Sequence, residues 1–175
     1  MLEVEPYTIT DSTLTYPIEK LTAAIRTVRA LLVKVEDPAL TPTKATEGSA
    51  GFDLRCKKET VLPNFQRVLV PTGVRVVIPE GYVGLLFPRS SLSKYGITMT
   101  NSVGVIDSDY RGEILASLMF KGEHMTWILP KHERIVQLVV VPVPEFDIVV
   151  DTHSTEEQWN NTARGTGGFG STGRA

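Results

Sequence analysis

The chain has 175 residues, 18 basic and 20 acidic side chains, a formal net charge of -2 and 42% hydrophobic residues. That length suits one domain with short appendages and a real core. No apolar run approaches the ~20 residues of a bilayer-spanning helix. A near-neutral charge speaks against a nucleic-acid coat, so neither a membrane nor direct nucleic acid is expected as a partner. The single Cys56 excludes an intramolecular disulfide framework and a cysteine-rich zinc site, and His124, His132 and His153 lack metal-ligand spacing. Glu3 and Glu5 stand where a secretory leader would be basic, and Asp11 and Glu19 are unlike a transit peptide. A cytoplasmic address is expected, or a nuclear one in a eukaryote.

In chain order, Pro17 suits a first helical position, and Ile18, Leu21, Ile25, Val28 and Leu32 recur at spacings of three and four. This predicts an amphipathic helix over 17–30. Residues 1–30 read as a partly helical extension, packed on its own domain, on a sister subunit, or kept for an unidentified partner. From Leu31 the texture becomes β-rich. Strands are predicted at Leu31–Val35, Arg67–Val70, Val74–Ile78, Tyr82–Phe87, Gly112–Phe120, Met125–Leu129, Arg134–Val143 and Phe146–Val150. Pro71-Thr72-Gly73 and Pro79-Glu80-Gly81 supply turns. Many short strands with little helix predict an all-β domain over 31–151, a sandwich, jelly roll or barrel, among which periodicity does not choose. Ser154–Ala175 holds five of the fourteen glycines and only Trp159 and Phe169 as large apolar residues. Residues 152–175 are therefore expected to form a flexible Gly-rich arm.

Three segments carry chemistry-bearing residues. In the arm, Gly165, Gly167 and Gly170 fit a dinucleotide fingerprint, and Gly170-Ser171-Thr172 nearly ends a P-loop, but both patterns require a following helix for which the chain has no room. Glycine N–H groups, two hydroxyls and Arg164 nevertheless suit an anion, and Phe169 suits a flat ring. A disordered tail is the competing reading. In Pro88-Arg89-Ser90-Ser91-Leu92-Ser93, Arg89 offers a planar fork and Ser90 and Ser91 offer hydroxyls for phosphate, or the motif simply caps a helical turn. Between Asn101 and Gly112, Asp107 follows the apolar pair Val105-Ile106, where a carboxylate could act as base, with Tyr110 as a ring wall. An ordinary Asp-rich hairpin is the alternative. Asp53 and Gln137 are polar residues inside apolar runs, and each needs a partner if buried.

Taken in order, Ala50-Gly-Phe-Asp-Leu54, Pro88-Arg-Ser-Ser-Leu-Ser93, Gly104-Val-Ile-Asp-Ser-Asp-Tyr-Arg-Gly112, Arg134-Ile-Val-Gln137 and Arg164-Gly-Thr-Gly-Gly-Phe-Gly-Ser-Thr-Gly173 resemble the five motifs of the trimeric dUTP pyrophosphatases, across Leu31 to Gly173. The resemblance implies an all-β, jelly-roll (β-clip) subunit in a homotrimer whose active sites are shared between subunits. It implies hydrolysis of dUTP to dUMP and pyrophosphate by water attack on the α-phosphorus, with Mg²⁺ bridging the phosphates. Asp107 matches the catalytic carboxylate and Tyr110 the ring beneath the deoxyribose. Asn101 and the backbone through Gly104, Val105 and Ile106 match the uracil-reading hairpin. Arg89, Ser90, Ser91 and Gln137 match phosphate contacts. In the arm, Arg164, Gly170, Ser171 and Thr172 match a γ-phosphate grip and Phe169 the ring stacked on uracil. Asp53 matches an acid reached through metal-bound water, with no direct protein ligand to the metal expected.

The sequence departs from the family pattern in four places. Phe52 stands where Tyr or Leu is common, and Lys131-His132-Glu133 lacks the usual glycine. The linker around Trp159 is long, with Trp159 expected to anchor it, and the extension through Arg29 has no counterpart. A dCTP deaminase on the same fold would need a glutamate base and cytosine donors, which the third motif does not offer. A regulatory binding protein using the N-terminal helix is the rival from a different class.

Overall fold

The computed structural model describes residues 30–168. The helix predicted over 17–30 lies outside them but for Ala30, as do Phe169, Gly170, Ser171 and Thr172. Contacts divide the chain into two compact units, Met1–Pro144 and Glu145–Ala175.

The first unit is built from eleven strands among the described residues: β1 (Leu32–Val35), β2 (Phe52–Arg55), β3 (Thr60–Pro63), β4 (Arg67–Pro71), β5 (Val74–Val77), β6 (Tyr82–Pro88), β7 (Ile97–Met99), β8 (Gly104–Ile106), β9 (Leu115–Phe120), β10 (Thr126–Leu129) and β11 (Arg134–Pro142). One helical turn, α1 (Ser90–Ser93), follows β6. The strands form antiparallel sheets in the orders β2-β11-β6-β8, β4-β9-β7, β1-β5 and β10-β3. This is the all-β, jelly-roll-like architecture expected from the sequence. Its core joins Leu54 of β2, Leu62 of β3, Val70 of β4, Leu86 of β6, Leu118 and Phe120 of β9, and Ile135 and Leu138 of β11.

The long strands follow their hydrophobic pattern. β9 buries five of the six residues or nearly so, which matches its apolar character on both faces. It starts at Leu115 and not at Gly112, because Ile114 is drawn away from the ladder: its N–H donates to Val74 O at 2.8 Å and its carbonyl accepts from Thr72 Oγ1 at 2.7 Å. The predicted strand Phe146–Val150 has no ladder partner and is not a strand. Phe146, Ile148, Val149 and Val150 are 78–93% exposed. In the second unit a single turn, α2 (Glu156–Trp159), closes with a Thr155–Gln158 capping box, and Trp159 is 68% exposed.

The turn from α1 to β7 depends on Gly96. Its φ is +69°, and a Cβ there would lie 2.3 Å from the Lys121 carbonyl oxygen. Both the left-handed backbone and the contact exclude a side chain. Gly96→Ala is expected to lower the unfolding free energy by at least ~2 kcal/mol, read as a fall in the urea midpoint; an unchanged midpoint would show that the turn relaxes freely.

Candidate active site

β8 runs beside β6, and Gly104 pairs with Leu86. A Cβ on Gly104 would meet Leu86 Cβ at 3.0 Å, so the close approach of the two strands needs glycine. The chain then turns at Asp107, whose carbonyl accepts the Tyr110 N–H at 3.2 Å. Tyr110 folds back across Gly112: its hydroxyl donates to Glu113 O at 2.9 Å, and a Cβ on Gly112 would sit 2.3 Å from the hydroxyl oxygen. Arg111 Nη1 braces the turn through the carbonyls of Ser108 (2.6 Å) and Tyr110 (2.9 Å). From β5, Arg75 Nε donates to Arg111 O at 2.6 Å, and the N–H of Gly73, just before that strand, donates to Glu113 Oε1 at 2.7 Å. The turn is thus a fixed object with several independent anchors.

It encloses a cavity of about 230 Å³ in which Asn101, Gly104, Val105, Ile106, Asp107 and Tyr110 meet, closed by Leu86, Ile114 and Leu115. All six sequence-predicted residues of this group come together. The side chains of Asn101 and Asp107 make no hydrogen bond or ion pair among the described residues. An amide and a carboxylate held open beside a ring and an apolar wall suit a flat polar heterocycle with a sugar, and leave the carboxylate free to accept a proton.

A second cavity of about 270 Å³ is lined by Asp53, Arg89, Ser90 and Gln137 with Ala45, Ser49, Ala50 and Gly51. β2 and β11 place Asp53 directly opposite Gln137. Gly51 lets the loop before β2 lie on Gln137, since a Cβ would be 3.1 Å from its Oε1. Asp53 is only 7% exposed, and a buried carboxylate must be paired. Its Oδ1 meets Arg89 Nε at 2.9 Å and its Oδ2 meets Arg134 Nη1 at 3.2 Å. A cation, a hydroxyl and an amide converge here on a polar hollow, the chemistry of an oxyanion site.

The two cavities share no lining residue. Ser91 joins neither; its hydroxyl is buried and without a hydrogen-bond partner among the described residues. Arg164 belongs to the second unit, exposed, in a turn closed by the Gly165 N–H on Thr162 O at 3.1 Å. Sequence reasoning missed the apolar walls Leu86, Ile114 and Leu115, and it missed Arg134 as the second partner of Asp53. Among the described residues no three His, Cys, Asp or Glu side chains converge as a metal site.

The dUTPase family model matches residues 37–173. A deoxyuridine 5'-triphosphate nucleotidohydrolase from Hydrogenobaculum is 43% identical over 148 residues, covering 83% of this chain and 99% of that protein. Among solved structures, the dUTPase of Streptococcus mutans superposes with a TM-score of 0.63 at 37% identity, over 68% of this chain and 99% of that one. The dUTPase of Staphylococcus bacteriophage 80alpha, solved with dUPNHPP, gives 0.67 at 30% identity, over 83% of this chain and 99% of that one.

Proposed function

This chain belongs to the dUTPase family, and we propose that it hydrolyses dUTP to dUMP and pyrophosphate by attack of water on the α-phosphorus. The observation that carries the reading is the Asp107 carboxylate just past β8, unpaired among the described residues, in one cavity with Asn101 and Tyr110. Asn101 and the β8 backbone offer donors and acceptors to the uracil edge. The Tyr110 ring, locked by its bond to Glu113 O, forms a floor under the deoxyribose with no room for a 2'-hydroxyl. Asp107 orients the attacking water and takes its proton. Arg89, Ser90 and Gln137 hold phosphate oxygens, and the arm from Arg164 through Phe169, Gly170, Ser171 and Thr172 closes over the nucleotide. Such a reaction asks for positioning and charge neutralisation more than covalent chemistry, and these groups supply both. The activity keeps uracil out of DNA and provides dUMP for thymidylate synthesis, as a cytoplasmic enzyme; no helix among the described residues is long and apolar enough to cross a membrane.

The residues present fit a Mg²⁺ carried by the substrate and not by a protein cage. Asp53, the acidic residue of the phosphate cavity, already gives one oxygen to each of two arginines. Mg²⁺ keeps most of its waters and binds readily through phosphates, and when bound it neutralises triphosphate charge. Asp53 then reaches it only through its waters.

A homotrimer with shared sites is part of the proposal. Cavities of about 230 and 270 Å³ are each smaller than the ~300–1,000 Å³ typical of a pocket that encloses a drug-sized ligand. A nucleoside triphosphate therefore needs both kinds of surface, and copies of the chain can bring the base cavity of one against the phosphate cavity of another. Phe146, Ile148, Val149 and Val150 also stand exposed as a group, a surface that association would cover.

Product analysis with dUTP, dCTP, dTTP and UTP tests the reaction: dUMP and pyrophosphate are expected from dUTP alone, and a uracil product from dCTP would move the protein to deamination. Asp107→Asn should lower kcat by about 10²–10⁴-fold with KM for dUTP within a few-fold and an unchanged melting temperature. Near-normal turnover by that variant would remove Asp107 as the base. Gly112→Ala should push the Tyr110 ring from its seat and reduce the preference for dUTP over UTP, in kcat/KM, by about 10-fold. An unaltered preference would dissociate Tyr110 from sugar selection.

A further inference from the structure

We propose that Arg134 is a positioning residue that keeps Arg89 available to phosphate by occupying the far oxygen of Asp53. The inference rests on the reading of Arg89 as a phosphate ligand. Arg134 lines neither cavity. Its connection runs through a backbone irregularity. β11 pairs with β2 as Gln137 opposite Asp53 and Val136 opposite Leu54, but the register then shifts and Arg134 stands opposite Arg55. In a regular strand Arg134 would share a face with Val136, away from Gln137. The shift leaves Ile135 as the extra residue and brings Arg134 to the face of Asp53 and Gln137. Bulges beside functional sites re-aim side chains in this way. The Ile135 side chain remains fully buried, which fixes the bulge from the core side.

The consequence is a division of Asp53 between two guanidinium groups. Arg89 meets Oδ1 through Nε at 2.9 Å, which leaves the terminal amino groups of its fork for a ligand. Arg134 holds Oδ2 through Nη1 at 3.2 Å. A guanidinium prefers to bind a carboxylate with two parallel bonds. Without Arg134, the buried Oδ2 has no cation but Arg89 among the described residues, and Arg89 gains by turning inward to bind both oxygens. Its donors are then withdrawn from the phosphate cavity. Arg134 thus sets the affinity for the triphosphate without touching it.

The test is a double-mutant cycle on the full chain: Arg134→Met, Arg89→Met and the pair, with Arg134→Lys beside them, each assayed for kcat and KM with dUTP and Mg²⁺ and for melting temperature. Arg134→Met is expected to raise KM about 10-fold with kcat changed less than about 3-fold, and Arg134→Lys to recover part of the loss. In the Arg89→Met background, Arg134→Met should leave KM where it was. A folded Arg134→Met enzyme with wild-type KM would overturn the proposal, and so would an equal rise in both backgrounds, because the two arginines would then act independently. Should Arg134→Met fail to fold, Arg134→Lys decides: a raised KM that vanishes in the Arg89→Met background supports the proposal, and a wild-type KM overturns it. Wild-type KM in Arg89→Met alone would remove the phosphate role of Arg89 and the proposal with it, whereas absence of dUTP turnover in the unmutated chain would reject the underlying reaction itself.

Discussion

The pairing of β6 on both of its edges fixes where every candidate residue of the two cavities stands. On one edge Gly84–Leu86 pair with Gly104–Ile106 of β8, and on the other Tyr82–Pro88 pair with Val136–Pro142 of β11. A slip of one residue would exchange the faces of every side chain, so both registers must hold together. Gly84 makes them compatible: a Cβ there would lie 3.0 Å from Leu138 Cδ1 and 3.1 Å from both Ile106 Cβ and Ile78 Cδ1. β11, β8 and the residue that follows β5 close on that one position. The result is that the hairpin carrying Asp107 leaves one edge of β6, while Gln137 is delivered along the other and Arg89 follows directly from its end.

Where the family pattern has glycine before the fourth motif, this chain has His132, and the structure shows how the turn survives. His132 takes the left-handed conformation itself, with φ of +67°. That costs a non-glycine residue roughly 1–2 kcal/mol. The conformation is held by long-range bonds: the His132 N–H donates to Cys56 O at 2.8 Å, and its carbonyl accepts from Arg55 Nη1 at 3.1 Å. Beside it, the Ala39 N–H, and then the charges of Lys131 and His132, hold the Asp37 carboxyl below its usual range. The left-handed turn is therefore reached by a non-glycine residue that the surrounding contacts over-determine.

What was legible in the sequence tracks how local its cause is. β6, β9 and β11 are long enough for their apolar pattern to appear, and Asn101, Gly104, Asp107 and Tyr110 lie in one contiguous motif that one hairpin gathers. β2 and β3, no longer than the predicted β1, β5 and β10, and the three-residue β7 and β8 lie in segments without a clear apolar run. Phe146–Val150 has strand composition without a strand, because a ladder needs a partner that the pattern of one segment does not supply. The Asp53–Arg134 contact spans 81 positions and depends on a bulge. Nothing in Arg134-Ile135-Val136-Gln137 signals that its alternation is broken at Ile135. The same holds for the walls Leu86, Ile114 and Leu115, ordinary core-type residues whose role comes only from which cavity they close.

Charge then argues for the way the phosphate side is completed. Asp53 with Arg89 and Arg134 sums to a single net positive charge in a setting where the carboxylate is nearly buried. Ser90 and Gln137 add dipoles and no charge. A triphosphate carries several negative charges, so this cavity alone leaves most of them unneutralised, and unpaired charge in a closed site is costly. Two sources remain in the chemistry proposed: the Mg²⁺ carried on the phosphates and Arg164 of the arm. In that proposal both come only with the ligand, so the cavity of the first unit holds no larger cluster of mutually repelling cations beforehand. The carboxylate of Asp53 serves the same end, since it lets two arginines stand beside one hollow before any anion is there to separate them.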